Sequence, residues 1–199
     1  MSLLSGVSSF FGLDIGTTAV RLVQLRNTGQ TKTLIRYAYV PIDVKLSQSD
    51  SKASQAQLAQ VISKLVGEAG VDTKHVAVGL PSNRVFTTVA DVDRLPMSEL
   101  GKSIIFQADS LIPTPPAETK IDWALIGDSP KDKNKLEVLL SSVPNKFVEN
   151  RLDMIESIGL NVIAFESDGL ALARSMSAFG STEPQLILDV GQMSTDLVV

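Results

Sequence analysis

Leu13-Asp14-Ile15-Gly16-Thr17-Thr18-Ala19-Val20-Arg21-Leu22, near the start of the chain, and Leu188-Asp189-Val190-Gly191-Gln192-Met193-Ser194-Thr195-Asp196-Leu197-Val198, at its end, share one pattern. In each, an aspartate ends an apolar strand, a glycine follows two residues later, and hydroxyl residues line the turn into a second strand. Glycine lets the backbone approach a ligand closely and turns N–H groups toward anionic oxygens. The hydroxyls of Thr17, Thr18, Ser194 and Thr195 add donors. Asp14 and Asp189 suit a Mg²⁺ ion held through its waters, because Mg²⁺ gives up its hydration shell reluctantly. One such segment alone reads more readily as an ordinary hairpin with an Asp-Gly-type turn than as a phosphate site. Two of them, with helices and a separate module between, point to a phosphate chain with a divalent metal.

A third segment, Ile163-Ala164-Phe165-Glu166-Ser167-Asp168-Gly169-Leu170-Ala171-Leu172-Ala173-Arg174, runs from a strand into an Ala-rich helix. Glu166 at the strand end either points into the same cleft or is a surface carboxylate favoured beside a helix N-terminus. It is the one candidate for a catalytic base.

Working outward, Phe10 to Ile15, Ala19 to Arg26 and Lys32 to Val40 read as three antiparallel strands in a meander, with a turn over residues 27–30. Residues 42–54 are polar and Ser-rich and read as a loop. Gln55 to Ala69 carries Leu58, Val61, Ile62, Leu65, Val66 and Ala69 at helical spacing, and Gly70 stops it. His75 to Leu80 is a short buried strand. From Arg84 the pattern changes to a small α+β insert over residues 84–160. It comprises strand Val85–Asp91, a helix capped by Ser98, a proline break at 113–116, strands Thr119–Gly127 and Leu136–Val143, and helix Lys146–Ser157. Trp123, Phe106 and Phe147 are expected in its core. Strand Asn161–Phe165, helix Asp168–Phe179 and strands Gln185–Val190 and Thr195 onward complete the chain.

Composition narrows the function. The 199 residues have 44% hydrophobic and 20% charged residues and a net charge of −4, with no Lys/Arg block, so nucleic acid is not an expected partner. There is no cysteine, hence no disulfide framework or thiolate metal site, and the lone His75 opens an apolar strand, which argues against triad chemistry. Met1 to Val7 lacks the basic and apolar regions of a signal peptide, and no run approaches the ~20 apolar residues of a membrane-spanning helix, so a cytoplasmic protein is expected.

These residues resemble the actin-like ATPase superfamily. The segment around Asp14 is similar to its first phosphate motif, that around Asp189 to its second, and Glu166–Arg174 to the connecting motif. The insert resembles that of the FtsA-like and, more closely, the PilM-like families. Leu80-Pro81-Ser82, Leu95-Pro96-Met97-Ser98-Glu99-Leu100, Ile112-Pro113, Ile121-Asp122-Trp123 and Ser157-Ile158-Gly159-Leu160 carry that likeness, over nearly all of residues 9–199. Gln192 and Met193 depart from it, standing where many superfamily members have small residues.

The resemblance implies an α/β fold: a ribonuclease H-like, actin-type subdomain IA with a mixed sheet and helices in two pieces (1–83 and 161–199), interrupted by subdomain IC (84–160). It implies that a second actin-like domain is absent from these residues. It implies ATP and Mg²⁺ as cofactors of the whole protein, held by Asp14, Gly16, Thr17, Thr18, Asp189, Gly191, Ser194 and Thr195 with Asp14 and Asp189 at the metal, with at most weak ATPase there. Residues 1–199 alone are expected to bind nucleotide weakly or not at all and to be inactive. It further implies a cytoplasmic scaffold of type IV pilus assembly, peripheral to the inner membrane, that binds the PilN N-terminal tail in a groove between IA and IC alongside other inner-membrane assembly components. A sugar or acetate kinase and an FtsA-like filament-forming membrane adaptor are the alternatives.

Overall fold

The structure, a computed structural model, describes residues 9–27, 31–177 and 183–199. The expected turn at 27–30, the residues before Ser9 and the end of the helix expected to reach Phe179 fall wholly or partly outside them. The chain divides into two compact units: residues up to Ser82 with those from Asn150 on, and Asn83–Glu149 between them.

The first unit is built on the strand β1 (Phe11–Ile15), whose alternate residues Phe11, Leu13 and Ile15 are buried. Strands β2 (Ala19–Asn27) and β3 (Lys32–Pro41) follow antiparallel, as the expected meander. Strand β4 (His75–Leu80) then pairs parallel with β1, and a strand over Asn161–Ser167 pairs parallel with β4. The result is a mixed five-stranded sheet, the α/β class read from the sequence.

Between β3 and β4 the supposed loop contains a short helix, α1 (Val44–Gln48), capped by the Asp43 carboxylate accepting from the Lys45 amide. Its one turn shows too little apolar periodicity to be read from sequence. Helix α2 (Lys52–Ala69) starts earlier than expected because Ser51 caps it, accepting from the Ser54 amide. It ends at Gly70, whose φ of 64° is the left-handed cap that favours glycine. Leu58, Ile62 and Leu65 of α2 form one core with Phe11, Leu13, Val20, Leu22, Val76 and Val78.

The second unit carries β5 (Phe86–Asp93), α3 (Met97–Leu111), β6 (Thr119–Asp128) and β7 (Lys135–Pro144), with β7 central in an antiparallel sheet. Leu100, Ile104 and Ala108 of α3 pack on Val92, Leu136, Val138 and Leu140. Trp123 packs against this core as expected, its ring lying against bare Gly101, where an added Cβ would stand 3.5 Å from it. Two expectations are corrected. Pro96, not Ser98, occupies the N-cap position of α3 and makes no side-chain cap. Phe106 is 85% exposed, because the helix turns Leu100, Ile104 and Ala108 inward and position 106 falls off that stripe. Phe147 is buried.

Helix α4 (Asn145–Glu156) contains the division between units: its Met154 and Ile155, with Leu160, join the core of the first unit, although the sequence suggested an insert running to 160. Strand β8 (Asn161–Ser167), helix α5 (Asp168–Met176) and the hairpin β9 (Ile187–Val190) and β10 (Thr195–Val198) follow. Among the described residues β9 and β10 pair only with each other, and no helix is long and apolar enough to cross a membrane.

Ile62→Ala is expected to lower unfolding free energy by about 2–4 kcal/mol in urea titrations. Phe106→Ala should change it by less than about 0.5 kcal/mol; comparable losses for the two would contradict this core.

Candidate functional site

The two repeated segments fold into the same local structure. In the first hairpin Ile15 pairs with Val20, leaving Gly16 to Ala19 as the loop, and the Gly16 amide donates to the Ala19 carbonyl at 3.0 Å. In the second, Val190 pairs with Thr195, leaving Gly191 to Ser194, and the Gly191 amide donates to the Ser194 carbonyl at 2.9 Å. A Cβ on Gly191 would stand 3.0 Å from the Ser194 carbonyl oxygen, and one on Gly16 3.2 Å from that of Ala19, so these closures have little room for a side chain.

The first loop is also held from behind. The Thr17 carbonyl accepts from the Ser47 hydroxyl at 2.6 Å and the Thr18 carbonyl from the Ile42 amide at 2.9 Å. Arg151, buried on α4, in turn donates to the Ser47 carbonyl at 3.2 Å. The carbonyls are thereby occupied, whereas the amides of Thr17, Thr18, Gln192 and Met193 have no acceptor among the described residues. Open amides on a glycine-bearing turn are the donor set an anionic oxygen needs.

The acids are arranged differently in the two hairpins. Asp14 lies on the sheet face away from Leu13 and Ile15, and accepts from Arg21 at 2.9 Å; Arg21 stands 5.9 Å over the ring of Tyr39. At the matching register position of the second hairpin Asp189 faces Asp196, to which the Ser194 hydroxyl donates at 3.3 Å. Like charges directly opposite across a strand pair are unfavourable. Arg21 thus has an acid as its counterpart, and in the second hairpin Asp189 and Asp196 have no ion-pair partner among the described residues.

A carboxylate passed over in the sequence stands among them. Asp168, first residue of α5, has its pKa pushed up to about 7, by burial above all and then by Asp14, Asp189 and Asp196. Its carboxyl group lies on the bare backbone of Gly79, where any Cβ would collide with it. A glycine within a strand marks such close approaches, so Gly79 in β4 was the available signal. Glu166 pairs in register with Gly79 and forms an ion pair with Arg174. It is not among the groups that act on Asp168. Ser194 and Thr195 are exposed on the second turn.

The fit to a phosphate chain is conditional on charge. Four carboxylates against the Arg21 guanidinium would repel a bare phosphate, so the donor set suits phosphate accompanied by a divalent cation. Among the described residues no three acidic or histidine side chains converge to ligate a metal directly. A cation here would be held partly through water.

Because the folded pKa of Asp168 lies above its ordinary 3.8, its ionisation opposes folding: the penalty is absent below about pH 4, grows toward pH 7 and is complete above. Asp168→Asn is expected to raise stability by about 1–3 kcal/mol at pH 8 and by much less at pH 5. Urea titrations at both pH values check this; an equal effect at each would show that ionisation is not the cause.

The family described as type IV pilus assembly protein PilM matches residues 12–199. The chain is also similar to a structure of the PilM–PilN type IV pilus biogenesis complex, with 26% identity and a TM-score of 0.81 over 94% of this chain and 56% of that one. It thus spans little more than half the length of that relative. The cytoplasmic domain of EpsL, an inner-membrane component of the type II secretion system of Vibrio cholerae, shares the fold at 11% identity and a TM-score of 0.53, over 96% of this chain and 71% of that one. With the match running through both hairpins and the intervening insert, the chain belongs to the PilM family of type IV pilus assembly proteins.

Proposed function

We propose that the chain is the phosphate-binding half of an ATP–Mg²⁺ clamp and that the protein acts as a cytoplasmic scaffold of type IV pilus assembly, binding the N-terminal tail of a PilN-type inner-membrane partner. The observation that carries the nucleotide part is the pair of equivalent hairpins, each closing a glycine turn with open amides beside an aspartate. Gly16, Thr17, Thr18, Gly191, Ser194 and Thr195 would hold phosphoryl oxygens, and Asp14 and Asp189 the hydrated Mg²⁺. The cofactor supplies the phosphoanhydride and the metal's charge; the chain's part is to orient them. Glu166 would act as a base only after release from Arg174, so at most weak hydrolysis is expected.

Family membership and the likeness to the PilM–PilN complex support the partner assignment. The partner would also place the protein at the cytoplasmic side of the inner membrane. Neither a small-molecule kinase nor a filament-forming adaptor gains support from that family match.

In the whole-length protein, Gly16→Val is expected to weaken Mg-ATP binding at least tenfold while leaving binding of a PilN-tail peptide unchanged, both read by calorimetry. Unchanged nucleotide affinity would reject the turn as the phosphate site. Titrating the PilN-tail peptide into well-folded protein without any heat of binding would reject the partner.

A further inference from the structure

The insert carries a site chemistry of its own. A cavity of about 370 Å³ opens where the sheet of the second unit ends, lined by Arg84, Phe86, Thr114, Thr119, Ser142 and Pro144 among others. In the β5–β7–β6 sheet, Phe86, Ser142 and Ile121 form one cross-strand row, so the Ser142 side chain is framed by both outer strands. Ser142 is only 4% exposed, and its hydroxyl has no hydrogen bond among the described residues. That hydroxyl is not one of the polar atoms sealed off without a partner, so it is reachable from the cavity and available to a ligand oxygen. Thr119, also buried, spends its hydroxyl on a long 3.4 Å bond to the Pro115 carbonyl.

Arg84 supplies the charge. Its guanidinium lies 5.4 Å over the ring of Phe147, and among the described residues it has no carboxylate partner. Stacking on an aromatic face fixes the plane of the guanidinium and leaves its N–H edge for a ligand. One guanidinium fork with a hydroxyl donor matches the two oxygens of a carboxylate. A phosphate, with more oxygens and charge, would call for further cations that the lining does not contain. Phe86 and Pro144 offer apolar surface for the short stem that would carry the carboxylate.

The flanking backbone says what kind of molecule bears that acid. Strand β5 begins at Phe86, inside the lining, and is an edge of its sheet. An edge strand presents unpaired N–H and C=O groups to any extended main chain. We propose that this cavity is a receptor for the carboxylate of an acidic residue in an extended peptide, with Arg84 and Ser142 binding the acid and the edge of β5 pairing with the adjoining main chain. The site requires neither nucleotide nor the PilN-tail reading.

Three probes titrated into isotope-labelled protein, followed by amide and arginine side-chain NMR, test it: a capped valine-threonine pentapeptide with a central glutamate, its glutamine counterpart, and inorganic phosphate. The glutamate peptide should shift Arg84, Phe86, Thr119 and Ser142 in a saturable way and bind about ten- to a hundredfold tighter than the glutamine peptide. Arg84→Gln, a change at an exposed position, should erase the difference between the peptides, and Arg84→Lys should restore part of it. Equal binding of the two peptides, shifts confined to other residues, or phosphate acting as strongly as the glutamate peptide would each overturn the proposal.

Discussion

Burial of alternate residues along β1 fixes what the remainder of its sheet can do. Phe11, Leu13 and Ile15 are drawn to the face packed on α2, each such side chain gaining roughly 1.5–3 kcal/mol on burial. With a side-chain period of two, Gly12 and Asp14 must then face the other way. A slip of one residue would bury Asp14 and expose Leu13, so the core enforces the position of the acid. Strand β4 repeats the logic: Val76, Val78 and Leu80 go inward, and Gly79 is left as bare backbone under Asp168.

On that outward face the electrostatics run against stability. Asp14, Asp189 and Asp196 all bear on Asp168, with Arg21 engaged by the first alone. Natural proteins tolerate such repulsion mainly where the charges serve a ligand, and strongly perturbed carboxylates gather at such places. The contrast between Asp14–Arg21 and Asp189–Asp196 at equivalent register makes the two hairpins alike in backbone and unlike in charge. The pairing of Glu166 with Arg174 removes from that set the acid that the connecting segment most visibly offered.

Much of the fold was legible because its signals are local. The meander of β1 to β3, helix α2 with its Gly70 stop, and the strand–helix–strand–strand order of the insert all follow from periodicity and breakers. What escaped was set by packing or by distance. The single turn of α1 has no amphipathic stripe to read. Phe106 is apolar yet faces out, because Leu100, Ile104 and Ala108 decide which side of α3 meets the sheet. Helix α4 shows no break where its residues pass from one unit to the other, so the boundary within it was invisible. Asp168 drew no reading from the sequence, and only the fold, by setting it over Gly79, marks it out. The repeated Asp-x-Gly turns are legible because each is contiguous in sequence.

The bonds from Ser47 and Ile42 to the carbonyls of Thr17 and Thr18 shift the burden of shape away from the turn itself. Conformation there is dictated by remote backbone and by one hydroxyl some thirty positions downstream, not by the threonine side chains. Lineages are therefore free to exchange the residues at 17 and 18 without losing the contour of the loop. Searches keyed to residue identity would overlook such descendants, whereas comparison of backbone paths would still detect their shared ancestry.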